Sequence, residues 1–193
     1  MRSGEYYENP ISGESVFVHQ GSDDTDGELF AGELRIKPGG RVVGEHVHSY
    51  IDERFDVLAG RVRFRLNGEE STAGPGQAVH IPPGAVHDWW NDGEDEARAL
   101  VEVRPGRRFE LAVGTLWGLA ADGKTNAKGI PNILQLAVIA SEYRREIEFV
   151  KPPRALQHAL FAVLAPLGRT LGYRATYPLR PTTLTSAGSP VVR

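Results

Sequence analysis

The chain has 193 residues, of which 40% are hydrophobic, and its formal net charge is −3. This is enough for one domain with a packed core, or for one domain with a sizeable appendage. The slightly acidic balance argues against a nucleic-acid-binding surface, and the absence of cysteine excludes disulfide scaffolds, thiolate metal sites and cysteine nucleophiles.

The N-terminal sequence has no apolar segment typical of a secretory signal. No run of the chain approaches the roughly 18 apolar residues of a membrane span. We therefore expect a soluble, cytoplasmic protein.

Residues 15–103 have the pattern of short β-strands separated by turns. Asn67-Gly68 is a dipeptide that closes tight hairpins. Apolar and polar residues alternate in RVRFRL at 61–66 and in ERFDV at 53–57. A period of two at this spacing predicts a compact antiparallel sandwich or barrel.

After residue 108 the apolar residues follow a helical spacing. Phe109 begins a first predicted helix, and Pro131 lies at the expected first position of a second. Pro166 should kink or stop a third helix. The apolar stripe of that third helix consists of Leu156, Leu160, Val163 and Leu167.

These patterns divide the chain into three parts. We predict a β-barrel with an N-terminal arm at residues 1–108, a helical extension at 109–180 and a flexible tail at 181–193. The extension could pack on the barrel, bury a dimer interface or lie on a membrane. Packing within the protein or a dimer is the favoured interpretation, because amphipathic stripes usually face a core.

The spacing of histidines and one glutamate indicates a metal site. His46 and His48 are two apart on a predicted strand and project from one face. Glu53 begins the returning strand and shares its face with Phe55, where a charge requires a partner such as a divalent cation. His87 follows a rigid proline-glycine corner and supplies a fourth ligand. Such ligands suit iron, manganese, nickel, copper, cobalt or zinc without choosing among them.

The two stretches that carry these ligands resemble both conserved motifs of the cupin superfamily. The first motif, Gly-x5-His-x-His-x4-Glu-x6-Gly, falls on residues 40–60, and the second, Gly-x5-Pro-x-Gly-x2-His-x3-Asn, falls on residues 76–91. The resemblance covers about residues 15–105. It implies a mainly β fold, an antiparallel cupin β-barrel or jelly roll with a metal near one mouth. The family's ligand positions are His46, His48, Glu53 and His87.

Phe55, Phe64 and Trp89 share faces with the ligands or with the predicted interior, and they either line a substrate pocket or pack the core. We predict a metal-dependent enzyme that acts on a small organic molecule, with Glu53 as proton acceptor. The resemblance favours a dioxygenase-type oxidoreductase. The alternatives are a non-redox isomerase, cyclase or lyase, and a non-catalytic binding or regulatory module. The resemblance also implies a homodimer.

Overall fold

Two antiparallel sheets enclose one hydrophobic core in the computed structural model, which describes residues 1–42 and 44–183. Strands are numbered in chain order. In spatial order, the six-stranded sheet contains β1 (Tyr6–Asn9), β2 (Glu14–Gln20), β3 (Phe30–Ile36), β10 (Ala97–Arg104), β5 (Asp52–Ala59) and β8 (Ala78–Ile81). The five-stranded sheet contains β11 (Glu148–Phe149), β4 (His46–Val47), β9 (Val86–Trp90), β6 (Val62–Leu66) and β7 (Glu69–Ala73). The predicted jelly roll is confirmed.

The alternation of apolar and polar residues along the strands places the apolar side chains in the core. On β5, Phe55 and Val57 are buried while Arg54 between Glu53 and Phe55 is exposed. On β6, Val62 and Phe64 are buried in the same way. Because successive side chains of a strand point to opposite faces, these two strands bury alternate residues between the sheets.

The hairpin between β6 and β7 has the predicted turn. Asn67 and Gly68 have φ values of 51° and 88°, as a type I′ turn requires at both central positions. Leu66 and Glu69 pair directly across it. The turn therefore sets the register of this edge of the five-stranded sheet.

Three helices follow the barrel, as predicted: α1 (Arg107–Ala121), α2 (Ile133–Tyr143) and α3 (Arg154–Thr170). Two details of the prediction are wrong. Pro131 precedes α2, which is capped by Asn132, whose side chain accepts hydrogen bonds from the N–H groups of Leu134 and Gln135 at 3.1 Å. Asn132 begins the helix because its side-chain oxygen satisfies two free N–H groups, which a proline cannot do.

The second wrong detail is a stop of α3 at Pro166, one of the two outcomes predicted for this residue; the other, a kink, stays a prediction. The helix continues to Thr170. The proline lies close to the C-terminal end of the helix, where few backbone hydrogen bonds remain to be lost. The carbonyl groups beyond it are satisfied by the N–H groups of Leu171 and Tyr173.

The helices differ in what they pack against. Trp117 of α1 is buried in the main core, and Phe109 and Val113 pack beside it. On α3, Ala165 packs against Val138 of α2. The predicted apolar stripe of α3 is largely exposed rather than packed on the barrel, with 57%, 39%, 70% and 48% exposure at Leu156, Leu160, Val163 and Leu167.

The segment after α2 returns to the barrel as strand β11, which the sequence patterns do not predict. Phe149 pairs with His46 and Glu148 with Val47. The C-terminal extension therefore adds a strand beside β4, the strand that carries a predicted ligand.

These observations do not test several of the predictions. The division into domains and the homodimer stay predictions. Most of the tail expected to be flexible, residues 184–193, lies outside the described residues. Within the described ranges, no helix combines the length and the hydropathy that a membrane crossing requires.

The glycine that closes the first motif is constrained by backbone contacts. Gly60 has φ of +66°, and a Cβ there would lie 2.8 Å from both Ala97 Cα and Glu96 O. We expect Gly60→Ala to lower the free energy of unfolding by about 2–4 kcal/mol, because a clash with backbone adds to the strain of a left-handed conformation. Urea unfolding measures the change.

Gly76→Ala is the matched control for this variant. Gly76 has φ of +81°, but a Cβ added there would meet no described atom within 4 Å. Its loss of stability should be about 1–2 kcal/mol, the conformational part alone. Equal losses in the two variants would contradict the role of the backbone clash at Gly60.

Candidate metal centre

Three imidazole rings converge where β4 meets β9. His46 pairs directly with His87 across these strands, and His48 follows β4 immediately after Val47. One nitrogen from each ring lies within 4.8 Å of the others, and the ring centroids are 4.2 to 4.9 Å apart. All three side chains are buried. The strand register thus brings the three predicted histidines together.

Each ring is held by a hydrogen bond between its Nδ1 and a backbone carbonyl. Donation from Nδ1 leaves the lone pair of a neutral imidazole on Nε2, the form that ligates metals. The pairs are His46 with Gly44 at 3.0 Å, His87 with Ala85 at 3.1 Å, and His48 with Glu146.

The atoms that face the centre of the cluster fit a cation. Nε2 of His48, Nε2 of His87 and Oε2 of Glu53 are buried and have no hydrogen-bond partner within the described parts of the chain. The Glu53 oxygen lies 3.5 Å from the first nitrogen and 3.3 Å from the second. Unpaired buried polar atoms cost free energy. Nitrogen and carboxylate donors in one place are a set that divalent transition metals bind.

The Glu53 carboxylate is in ion-pair contact with only two of the three imidazole rings. Its carboxylate lies beside His48 and His87, whereas among the described residues no ion-pair contact joins it to His46. The three imidazoles are therefore the compact group, consistent with a metal site, and Glu53 flanks it. That Glu53 is a ligand stays a prediction.

The electrostatics keep Glu53 ionised. Burial by itself would raise the pKa of Glu53, but His48 and His87 outweigh it and hold that pKa well below the ordinary value. Burial, with the neighbouring His87 and His48, lowers the pKa of His46 well below its ordinary value. Burial would also lower the pKa of His48, but Glu53 raises it overall. A proton therefore competes with a metal more strongly at His48 than at His46.

The C-terminal extension positions His48. Its carbonyl acceptor, Glu146, lies 98 residues along the chain, between α2 and β11. The Glu146 carboxylate accepts hydrogen bonds from the Tyr50 hydroxyl and from Arg108 Nε, the latter at 2.8 Å. Burial acts against it, but these two donors hold the pKa of Glu146 below its ordinary value. The barrel and α1 thus jointly fix the acceptor of His48.

A cavity of about 110 Å³ lies beside the cluster, with His46 and Glu53 on its wall. Most of the remaining wall is apolar and comes from both the barrel and the extension. A larger groove of about 710 Å³ shares Val42, Leu116, Gly129 and Phe149 with this wall. The cavity and the groove are therefore neighbours at the junction of the barrel and the extension.

The three predicted pocket aromatics have different positions. Phe55 and Trp89 lie on the cavity wall. Phe64 is fully buried but is not among the wall residues, because it packs behind Phe55 with ring centroids 5.3 Å apart. Phe64 therefore supports the wall rather than forming it.

Sequence reasoning missed two groups of wall residues. Helix α1 contributes Phe109 and Trp117, and the segment around β11 contributes Phe149. The other group is acidic and includes Glu14. Glu14 shares a strand face with Val16, as Glu53 does with Phe55, so strand parity could have identified Glu14 as an inward-facing acid.

Comparisons with known proteins agree with this architecture. The family model described as Cupin_2, a cupin domain, matches residues 32–103. Polyketide synthase CurC from Streptomyces cyaneus is 34% identical over 76 residues, 39% of this chain and 49% of that protein. Quercetin 2,3-dioxygenase from Bacillus subtilis is 32% identical over 66 residues, 34% of this chain and 19% of that protein.

Among solved structures, a sugar phosphate isomerase of the cupin superfamily from Silicibacter pomeroyi has 23% identity and a TM-score of 0.44. That match covers 53% of this chain and 69% of the isomerase chain. The chain spans about half, or less, of the two curated relatives described above. The similarity is therefore one of the barrel domain, not of whole proteins.

Loss of one imidazole tests the ligand set. We expect His48→Ala to reduce bound metal to near background in elemental analysis, because one of the three convergent nitrogens is removed. The fold should persist in circular dichroism, since the apolar core supplies most of the stability. His80→Ala is the matched control, because His80 is exposed and pairs with Asp52 at 2.5 Å. Full metal content in His48→Ala would show that the ligand assignment is wrong.

A second variant tests the role of the extension. Arg108→Ala removes a donor to Glu146, whose carbonyl holds His48, and we expect about a tenfold weaker metal affinity. Competition with a fluorescent chelator measures this affinity. Arg107→Ala is the control: this neighbouring side chain faces Asp23 at 3.3 Å instead. The same affinity in both variants would contradict positioning of His48 by Glu146.

Proposed function

Because this chain belongs to the cupin superfamily through its domain at residues 32–103, we propose that it is a metal-dependent enzyme acting on a small organic molecule, most simply a dioxygenase-type oxidoreductase. The proposed cofactor is one divalent transition metal at His46, His48 and His87, with Glu53 as the fourth ligand. Two curated relatives carry the names of enzymes from different classes, a polyketide synthase and a dioxygenase.

One observation carries this proposal: the histidine cluster borders an apolar cavity rather than bulk solvent. His46 and Glu53 lie on the wall of that cavity. A molecule that enters it meets the cluster directly and loses its contact with water. Apolar cavities with a few convergent polar groups are typical of small-molecule sites.

A metal held by this cluster would polarise a bound oxygen group and, if it were iron or copper, would add redox chemistry. Glu53 is placed to accept a proton from the substrate, because it lies on the cavity wall and its Oε2 has no hydrogen-bond partner in the described part of the chain. Phe55 and Trp89 would orient the apolar part of the substrate and exclude water.

The second candidate is a non-redox isomerase, cyclase or lyase. It is favoured by the position of the Glu53 carboxylate on the cavity wall, since proton transfer at carbon needs a base and no oxidant. A non-catalytic binding module is the third candidate. It would use the same cavity without turnover.

Exchange of the metal distinguishes these candidates. Metal-free protein is loaded separately with Fe²⁺, Mn²⁺, Co²⁺, Ni²⁺, Cu²⁺ or Zn²⁺ and supplied with phenols and diketones. For the oxidoreductase we expect oxygen uptake with a redox-active metal and none with Zn²⁺, because zinc has no redox chemistry. Oxygen consumption and product formation are measured together.

The control is the His48→Ala variant loaded in the same way, which should be inactive. Product formation without oxygen uptake in the zinc-loaded protein would instead support the isomerase, cyclase or lyase. Ligand binding without any product, for every metal, would support the binding module.

A further inference from the structure

The cavity wall carries acids in addition to Glu53, namely Glu14 on β2 and Glu110 on α1. Glu110 is paired, since it accepts hydrogen bonds from the Met1 ammonium and, at 2.9 Å, from the Ser22 N–H. Glu53 lies beside imidazoles. Among the described residues, no basic side chain lies within ion-pairing distance of Glu14. It is thus a buried wall acid without a counter-charge, which is costly for an ionised carboxyl.

The protonation of Glu14 follows from this setting. Burial raises the pKa of Glu14 to about 8, and the Ser12 hydroxyl offsets part of the rise. The other charged or titratable groups on the same wall do not contribute to the shift; these are the Met1 ammonium, Glu110, Glu53 and His46. At neutral pH the side chain is a carboxylic acid, which has an O–H group to donate.

The cross-strand neighbour of Glu14 already has a structural task. Asn9 pairs with Glu14 between β1 and β2. Its Oδ1 accepts hydrogen bonds from the N–H groups of Ile11 at 3.0 Å and Ser12 at 3.3 Å, which holds the turn between the two strands. The Oδ1 atom of Asn9 therefore stabilises the hairpin, and Glu14 is the acid of this pair on the cavity wall.

We propose that Glu14 is a substrate-binding residue that donates a hydrogen bond to a carbonyl or enol oxygen of a compact, mainly apolar molecule. A second oxygen of that molecule would face the histidine cluster, so this inference rests on the proposed function. Glu14 and His46 line the same cavity of about 110 Å³. Two polar groups in an apolar wall would orient a diketone or a hydroxyketone.

The test uses cyclohexanone, a neutral probe with one acceptor oxygen, and the zinc-loaded full chain. Saturation-transfer NMR measures its affinity between pH 6 and about pH 10, a range that spans the pKa of Glu14. For the unaltered protein we expect affinity to fall about tenfold as pH rises through about 8, because a carboxylate cannot donate. Glu14→Gln retains a donor at every pH and should show no such fall.

Glu14→Met removes the donor and should bind cyclohexanone about tenfold more weakly at neutral pH. Glu8→Gln is the control, because Glu8 lies on the neighbouring strand β1, outside the cavity, and pairs with Lys37 at 2.6 Å. It should keep the pH profile of the unaltered protein. Circular dichroism at each pH verifies that every variant is folded.

Equal pH profiles for the unaltered protein and Glu14→Gln would overturn the proposal. If Glu14→Met does not fold, the pH profile of Glu14→Gln alone tests the proposal. The measurement requires no turnover, so its outcome is separate from that of the proposed function. Inactivity with every metal, together with the expected binding profile, would refute the enzyme but retain Glu14 as a binding residue.

Discussion

The candidate site depends on the packing of three imidazoles and a carboxylate inside a hydrophobic barrel, with polar atoms of their side chains turned toward one another. Such an arrangement is unfavourable by itself, and the surrounding β-sheet register enforces it. Pairing of His46 with His87 places two rings side by side, and backbone carbonyls set the orientation of each ring. The apolar core that holds the two sheets together supplies the free energy that keeps these groups in place.

Strand parity predicted most of the barrel and the convergence of the histidines. The period of two assigned Phe55 and Phe64 to the interior, and both are buried. Parity indicates which face of the sheet a side chain is on, but not how close that side chain lies to the cavity. It could therefore not predict that Phe55 lies on the cavity wall while Phe64 packs behind it. It also applies equally to every charged residue on an inward face, and Glu14 fits the same rule as Glu53.

The rest of the site could not be predicted, because it depends on contacts between distant parts of the chain. The pairing of Phe149 with His46 leaves no local periodicity in a two-residue strand. Two predictions of helix ends failed for local reasons. Asn132 caps α2, so that the helix begins after Pro131 and not at it, and Pro166 lies close enough to the end of α3 for the helix to continue. Neither outcome changes the cavity.

The hydrogen bond between His48 and Glu146 has a consequence for how the protein is assembled. During synthesis the barrel strands emerge first, and the acceptor of His48 follows 98 residues later. At the proposed metal site, capture of an ion with full affinity would therefore await docking of the C-terminal segment. By thermodynamic linkage, an ion that binds the docked form more tightly also tightens that docking. Metal supply in the cell would then influence how firmly the two parts of the chain are joined.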